Sequence, residues 1–463
     1  MNLLYKFIGA SLLLLTICTV SAEKPVARPN FLFLIADDLS PRLGCYGDKA
    51  AITPNLDRLA RDGITFTHAY AQGAVCIPSR TSFMLGLNNH HADCNYFKFH
   101  PETMTMGRWF REHGYQTFSV GKIDHDETYT DPKAWDIRVP ISDFRLGATP
   151  VKKSRFDEDK GLKRETFLTY SRDEKVEATS DWARTERAIQ FLKSERQENK
   201  PFFAAVGFLS PHTPWETTEE IYKKQNSGSY SLEWPPPAEI TQVTESALHY
   251  NPGLDFSEEL QQQCQQQYYA TIGLLDQQIG RLMKELEKQD LLKNTIIVFI
   301  SDQGFHLGWR GQWIKHTISE QVLRVPLIVC MPDGVKNSKA DGIVELLDLF
   351  PTFCEMAGIP DPGNLDGSSF VPLLKNPKAE GKPAAFTSMP PGWGYGRTVR
   401  TKNWRLIERI DGTRELYNHP SDKDEYFNVI NKPENTSIAK ELHVMLEEMY
   451  GTLNSETDIQ KAN

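Results

Sequence analysis

Cys76-Ile77-Pro78-Ser79-Arg80 sets a thiol, a hydroxyl and a guanidinium within five residues, where a helix begins. A helix N-terminus favours an anion beside it, so Cys76 reads either as a reactive centre or as a packed cysteine. Two short polar pairs stand out elsewhere: Asp37-Asp38 and Asp302-Gln303, each at the end of an apolar run. Each pair reads either as a strand-end turn or as oxygen donors for a hard cation. Such donors suit Ca²⁺, with Mg²⁺ the minor alternative. Lys122 and His212 also follow apolar runs. Taken alone, a lysine or an imidazole reads most plainly as a surface or hydrogen-bonded structural residue, but both stand where strand carboxyl ends bind ligands.

These residues need a frame that gathers strand ends. Residues 30–35 form a continuous apolar run and predict a buried, parallel-type strand. Strands are also expected over 117–120, 201–208, 295–300 and 325–330. Pro54 to Asp62 predicts a short helix with Thr53 as N-cap and Pro54 at its first position. Further helices are expected over 105–113, 344–356 and, most clearly, 257–289. There Leu260, Cys264, Tyr268, Ile272, Leu275, Ile279, Leu282 and Leu286 recur at spacings of three and four. Alternating strands and helices imply an α/β fold with a mostly parallel or mixed sheet between helices, whose ligands bind at the strands' carboxyl ends. Composition shifts near residues 375–385. The remainder predicts a smaller α+β subdomain with an antiparallel sheet over 397–430 and a helix over 434–450. Residues 140–200 and 215–256 read as irregular insertions of the kind that wall a cleft.

The 463 residues are 40% hydrophobic and 24% charged, an ordinary globular composition. The net charge of −9 disfavours a general nucleic-acid binder. Residues 1–22 carry Lys6, a short apolar run and small residues at the end, the pattern of a secretory signal. That run is shorter than the roughly 20 residues needed to span a bilayer. The expected mature protein is therefore secreted or periplasmic, without stable membrane insertion. Beyond Cys18, six cysteines are spread from Cys45 to Cys354 with no Cys-x-x-Cys pair, which excludes a zinc ribbon and a disulfide miniprotein. One or two disulfides remain compatible with that spacing. Asn435-Thr436-Ser437 is a glycosylation sequon for a eukaryotic secretory host.

Cys76-x-Pro78-Ser79-Arg80 resembles the sulfatase signature, in which the cysteine is oxidised to formylglycine. Leu85-Gly86-Leu87 departs from the Thr-Gly-Arg of the longer signature. Asp37-Asp38 and Asp302-Gln303 resemble the family's two calcium-ligand pairs. Gly121-Lys122-Ile123-Asp124-His125 resembles its Gly-Lys-x-x-His segment, and Ser210-Pro211-His212-Thr213-Pro214 its Pro-His-x-Pro turn. Lys315 stands where a last catalytic lysine is expected. Residues 43–48 and 71–76 look particularly like iduronate-2-sulfatases. The motifs run in order from residue 30 to about 375, which implies a catalytic domain over 23–375 and a subdomain over 376–463.

The resemblance implies one Ca²⁺ held by Asp37, Asp38, Asp302, Gln303 and the modified residue 76. It implies a hydrated formylglycine whose one hydroxyl attacks sulfur and whose second hydroxyl then lets sulfate leave. Arg80 would hold the diol, Lys122 and Lys315 the sulfuryl oxygens. His125 would take the diol proton, and His212 would protonate the leaving oxygen. His306, His91 and Trp313 are candidate substrate contacts, with core packing or a solvated loop as the plainer reading of each. The implied substrate is a sulfated carbohydrate, a 2-O-sulfated uronic acid in an oligosaccharide. The implied maturation partner is a formylglycine-generating enzyme. Two alternatives stay open: a phosphatase or phosphodiesterase of the same superfamily, and a non-catalytic glycan-binding protein on this scaffold.

Overall fold

The computed structural model describes residues 28–91, 104–125, 130–140, 169–172, 175–226, 257–389 and 396–453. The expected signal segment, Cys18, Cys94 and most of the insertions lie outside these. Strand β1 (Asn30–Ala36) is buried along its whole length. Its side chains alternate between two apolar layers, Phe31, Phe33 and Ile35 on one face and Leu32, Leu34 and Ala36 on the other. A strand buried on both faces must sit mid-sheet under helices on each side, and β1 does.

The other strands are β2 (Ile64–Tyr70), β3 (Gln116–Gly121), β4 (Ile137–Pro140), β5 (Thr169–Arg172), β6 (Phe202–Gly207), β7 (Trp215–Thr218), β8 (Thr295–Ser301), β9 (His306–Leu307), β10 (Trp313–Ile314), β11 (Arg324–Cys330), β12 (Ser338–Ala340), β13 (Val344–Glu345), β14 (Ala384–Met389), β15 (Gly396–Thr401), β16 (Trp404–Arg409) and β17 (Arg414–Asn418). The large sheet runs β12-β2-β11-β8-β1-β6-β3-β4, with β13 beside β2. From β8 to β4 all neighbours are parallel. β11 runs antiparallel to both β8 and β2. A parallel return needs a crossover of a dozen or more residues, usually a helix. Between β8 and β11 the chain makes only the β9–β10 hairpin and a four-residue helix, Glu320–Leu323, so it comes straight back.

The long helix spans Glu258–Lys288, and the Ser257 hydroxyl accepts from Leu260 N–H at its start. Its apolar stripe from Cys264 to Leu286 packs under the sheet. The helix expected over 344–356 is shorter than its pattern suggests. β13 and a 3₁₀ turn, Leu346–Asp348, come first, and the α-helix begins at Leu349. Glu345 N–H donates to Asp348 Oδ2 (2.9 Å), one half of a capping box that starts the helical turn at Leu346 and not at Val344. Thr53 does precede the Pro54–Arg61 helix, but its hydroxyl donates to Asp57 instead of capping the backbone. Beyond the large sheet, β14-β15-β16-β17 form an antiparallel sheet covered by the helix Thr436–Tyr450 through Ala439, Leu442 and Leu446. Cys45, Cys76, Cys264, Cys330 and Cys354 are all free thiols.

Candidate active site

The four adjacent strands β8, β1, β6 and β3 each deliver polar residues past their carboxyl ends. These are Ser301 to Gln303, Asp37-Asp38, Ser210 to His212, and Lys122. Asp38 takes a left-handed turn (φ 66°), and its neighbours are pinned to keep it there. Asp38 N–H donates to Asp302 Oδ1 (3.1 Å), Leu39 N–H to Ser301 Oγ (2.8 Å), and the Tyr268 hydroxyl to the Asp38 carbonyl (2.8 Å). The last comes from the long helix below. After β2 the chain enters the helix Cys76–Leu85, so Cys76 is its first residue. Gly86 closes that helix in the left-handed region (φ 68°), donating to Ser82 O (2.8 Å). The departure from the longer signature therefore sits on a glycine C-cap.

Cys76 Sγ accepts from Lys315 Nζ (3.0 Å), Gln303 Nε2 (3.3 Å) and Lys122 Nζ (3.5 Å), and donates to Asp37 Oδ1 (3.4 Å). Lys122 is ion-paired with Asp37, and Lys315 with Asp38. Arg80 lies under the cluster, 1% exposed, with Nε on Asp302 Oδ2 (2.8 Å) and a terminal nitrogen 3.5 Å from Asp37 Oδ1. Its other terminal nitrogen donates to the carbonyls of Lys122 and Ile123, tying the β3 end to the cluster. Asp37, Asp38 and Asp302 thus face Arg80, Lys122 and Lys315, three charges against three.

Burial dominates the titration of these groups. It pushes the Cys76 thiol up to about 12, with Asp37 adding to the rise. It pushes Asp302 up to about 6 despite Arg80. Asp37 goes the other way: burial opposes its charge, but Lys122, His212, Arg80 and Lys315 together hold it well below the carboxylate range. Burial also lowers His212, against the pull of Asp37 and Asp38. His212 Nε2 lies 3.7 Å from Asp38 Oδ2. Its Nδ1 meets the Thr213 carbonyl, which can only accept, so the proton sits on Nδ1 and Nε2 faces the cluster.

Asp37, Asp38, Cys76 and His212 offer ligand atoms all within 4.8 Å of one another. Asp38 Oδ2 and Gln303 Oε1 are buried oxygens with no hydrogen-bond donor among the described residues. Buried oxygens without donors, beside two more carboxylates, fit a hard divalent cation. A second acidic group, Glu320, His419 and Glu425, is as compact. Arginine fills it instead: Arg405 reaches Glu320 and Glu425 at 2.6 Å each, and Arg400 reaches Glu320 at 3.1 Å. That network fastens the loop after Lys315 to the C-terminal sheet.

Nine predicted site residues therefore meet: Asp37, Asp38, Cys76, Arg80, Lys122, His212, Asp302, Gln303 and Lys315. His125 lines a small cavity with Asp124, Thr130 and Arg138. His91 is exposed and pairs with Asp366 (2.7 Å). His306 and Trp313 are each 0% exposed and pack within the fold. The His306 ring stacks on Trp309 (5.1 Å, 9°), its Nε2 meets Thr317 Oγ1 (2.6 Å), and burial keeps it neutral with a pKa of about 3. Trp309 in turn donates to the Asp424 carbonyl (2.7 Å), so the C-terminal segment roofs this stretch. Ser301, Tyr268 and Asp181 carry the site without any motif to mark them.

The comparisons with known proteins agree with this geometry. The Sulfatase family model matches residues 29–359, and a model for the C-terminal part of N-sulphoglucosamine sulphohydrolase matches residues 308–451. Iduronate 2-sulfatase of Mus musculus is 32% identical over 399 residues, covering 74% of this chain and 71% of that protein. An N-acetylglucosamine-6-O-sulfatase of Bacteroides thetaiotaomicron is 28% identical, covering 93% and 88%. A structure solved in complex with its substrate D-glucosamine-2-N,6-O-disulfate superposes with a TM-score of 0.73 at 25% identity, covering 91% of this chain and 97% of that one. The chain belongs to the sulfatase family and is a sulfuric ester hydrolase.

Proposed function

We propose that this protein is an exported, calcium-dependent sulfatase of sulfated glycans, with residue 76 matured to formylglycine. The convergence of Lys122, Lys315, Gln303 and Asp37 on Cys76 Sγ carries this reading. Asp37, Asp38, Asp302 and Gln303 are the residues that would hold the cation. Formylglycine and the cation together supply a hydrated carbonyl oxygen as the nucleophile for sulfur.

The chain's own side chains do the rest. Lys122 and Lys315 bind the sulfuryl oxygens and offset the charge that grows on them. Arg80 neutralises Asp302 and Asp37 from below and keeps both carboxylates aimed. His212 keeps its Nδ1–H on the Thr213 carbonyl and presents Nε2 to the leaving oxygen; it acts as proton donor in the imidazolium form, giving up the Nε2 proton and returning to the neutral Nδ1–H ring. His125 takes the proton released when sulfate departs. Cys76, 5% exposed, sits where little water competes. A phosphatase reading is disfavoured by a donor set of oxygens around a cysteine, where zinc enzymes gather several histidines. A non-catalytic reading is disfavoured because no charged member of the cluster is missing.

The substrate proposed is a 2-O-sulfated uronic acid, supported by the iduronate 2-sulfatase relatives. A 6-O-sulfated glucosamine is the second reading, favoured by the N-acetylglucosamine-6-O-sulfatase relative and by the disulfated glucosamine complex. Export rests on the pattern of residues 1–22; no helix among the described residues is long and apolar enough to cross a membrane. Two measurements test the proposal. Peptide mass spectrometry should show residue 76 lighter by about 18 Da, the difference between CH₂SH and CHO. Sulfate release from defined 2-O- and 6-O-sulfated oligosaccharides should vanish in Cys76→Ala and collapse in His212→Ala. Turnover that survives both changes refutes the assignment.

A further inference from the structure

Beyond the strand ends, the segment 207–214 has to leave the sheet and still deliver His212 to within 3.7 Å of Asp38. Once β6 ends at Gly207, the backbone donors of Leu209 and Ser210 have no ladder partner. Both go to one side chain. Leu209 N–H donates to Asp181 Oδ1 (2.9 Å) and Ser210 N–H to Asp181 Oδ2 (2.9 Å). The Asp181 carboxylate is 1% exposed and forked across two successive peptide groups. It stands in the first turn of the helix Ser180–Gln190, behind Thr179, whose hydroxyl caps that helix by accepting from Trp182 N–H (3.4 Å). Arg184, one turn on, reaches back to Asp181 Oδ1 (2.6 Å) and holds the fork from the far side.

The clamped segment makes two further backbone bonds. The Ser210 carbonyl accepts a long bond from Asp37 N–H (3.4 Å), but the Asp37 carboxylate is held separately by Lys122 and Arg80. The Leu209 carbonyl accepts from His212 N–H (2.7 Å), closing the turn that carries the imidazole. Arg184 also packs against the β3 end, where a Cβ on Gly121 would stand 2.7 Å from its Cδ. Asp181 touches neither the thiol nor the open side of the site in any of these bonds. We propose that Asp181 is a positioning residue for His212: its carboxylate fork on Leu209 and Ser210 sets the imidazole at the height where Nε2 meets the leaving oxygen.

This rests on the assignment of His212 as proton donor, and the test separates the two. Asp181→Asn keeps the shape of the fork but turns one oxygen into an NH₂ that cannot accept from an amide. Sugar sulfates, whose alkoxide needs a proton to leave, should lose on the order of 10–100-fold in kcat/KM, the scale of a misplacement of about 1 Å. An activated aryl sulfate such as 4-nitrocatechol sulfate, whose phenolate leaves unaided, should change less than about threefold. In a His212→Ala background the Asp181→Asn change should add nothing on the sugar sulfate. A loss that is equal on both substrates, or additive with His212→Ala, overturns the positioning role. Should His212→Ala itself leave sugar-sulfate turnover intact, the proton-donor assignment fails instead. The ring is then read directly by long-range ¹H–¹⁵N NMR at pH 8. Wild type should show one Nδ1–H tautomer at His212, and Asp181→Asn a mixture. An unchanged single tautomer overturns the inference whatever the activity.

Discussion

Lys122→Met should pull apart two properties that usually fall together, tightening the cation while crippling turnover. Lys122 Nζ is ion-paired with Asp37, one of the carboxylates proposed to hold the cation, and also approaches Cys76 Sγ (3.5 Å). Ammonium and dication therefore repel each other across one carboxylate. Two unit charges about 4 Å apart at an effective dielectric of ~20 interact by ~4 kcal/mol, and a dication doubles the charge product. Greater separation and relaxation of the site leave roughly 1.5–3 kcal/mol to be recovered on removing the lysine, a ten- to hundredfold lower calcium Kd. Asp37 stays ionised in the variant because Arg80 remains 3.5 Å away. Sulfate release should meanwhile fall by about 10²–10³ in kcat, as when one preorganised donor to transition-state oxygens is removed. Calorimetric calcium titration of both proteins, beside steady-state sulfate release, reads the two effects separately. A calcium Kd that rises or stays constant in Lys122→Met would refute the shared-carboxylate reasoning, even if turnover dropped as expected.

Other perturbations probe the frame. A Cβ at Gly207 would stand 2.0 Å from the Lys122 carbonyl, so Gly207→Ala must push the β3 end away from the cluster. The expected cost is about 1–3 kcal/mol of stability with loss of turnover, measured by denaturant unfolding and sulfate release; wild-type activity would contradict the packing. At Glu320, burial opposes the charge while Arg400, His419 and Arg405 hold the carboxyl well below its usual range. A depressed folded pKa stabilises above the unfolded value of roughly 4.3 and is lost as pH falls further. Glu320→Gln should therefore destabilise by about 3–5 kcal/mol at pH 7, by taking the carboxylate away from buried Arg400 while Arg405 keeps Glu425, and should flatten the loss of stability between pH 5 and 3. Melting curves across that range check it, and a slope as steep as wild type would count against the network.

Much of the site was legible because its residues lie next to strand ends that short apolar runs announce. Asp37-Asp38 and Asp302-Gln303 follow β1 and β8, which pair in register from Asn30–Thr295 to Ala36–Ser301, so the two polar pairs had to emerge side by side. What escaped was set by partners distant in sequence. β2 has no isolated apolar pattern, and its place between β11 and β12 depends on the antiparallel return after β8. Asp181 looks like any acid in a first helical turn until Leu209 and Ser210 arrive beneath it. For His306 and Trp313 the sequence left substrate contact and core packing both open; in the structure His306 lies under Trp309, which segment 422–426 pins in place, and Trp313 joins the core beneath the long helix.

The anchoring of the Lys315 loop by Arg405 and Glu425 has a consequence for the order of events during synthesis. Cys76 leaves the ribosome early, but the cationic wall around it takes its final form only when residues near 425 are available to dock. Closing a loop of that span is slow relative to local helix formation. A nascent chain must therefore pass through a stage in which residue 76 is made but not yet enclosed.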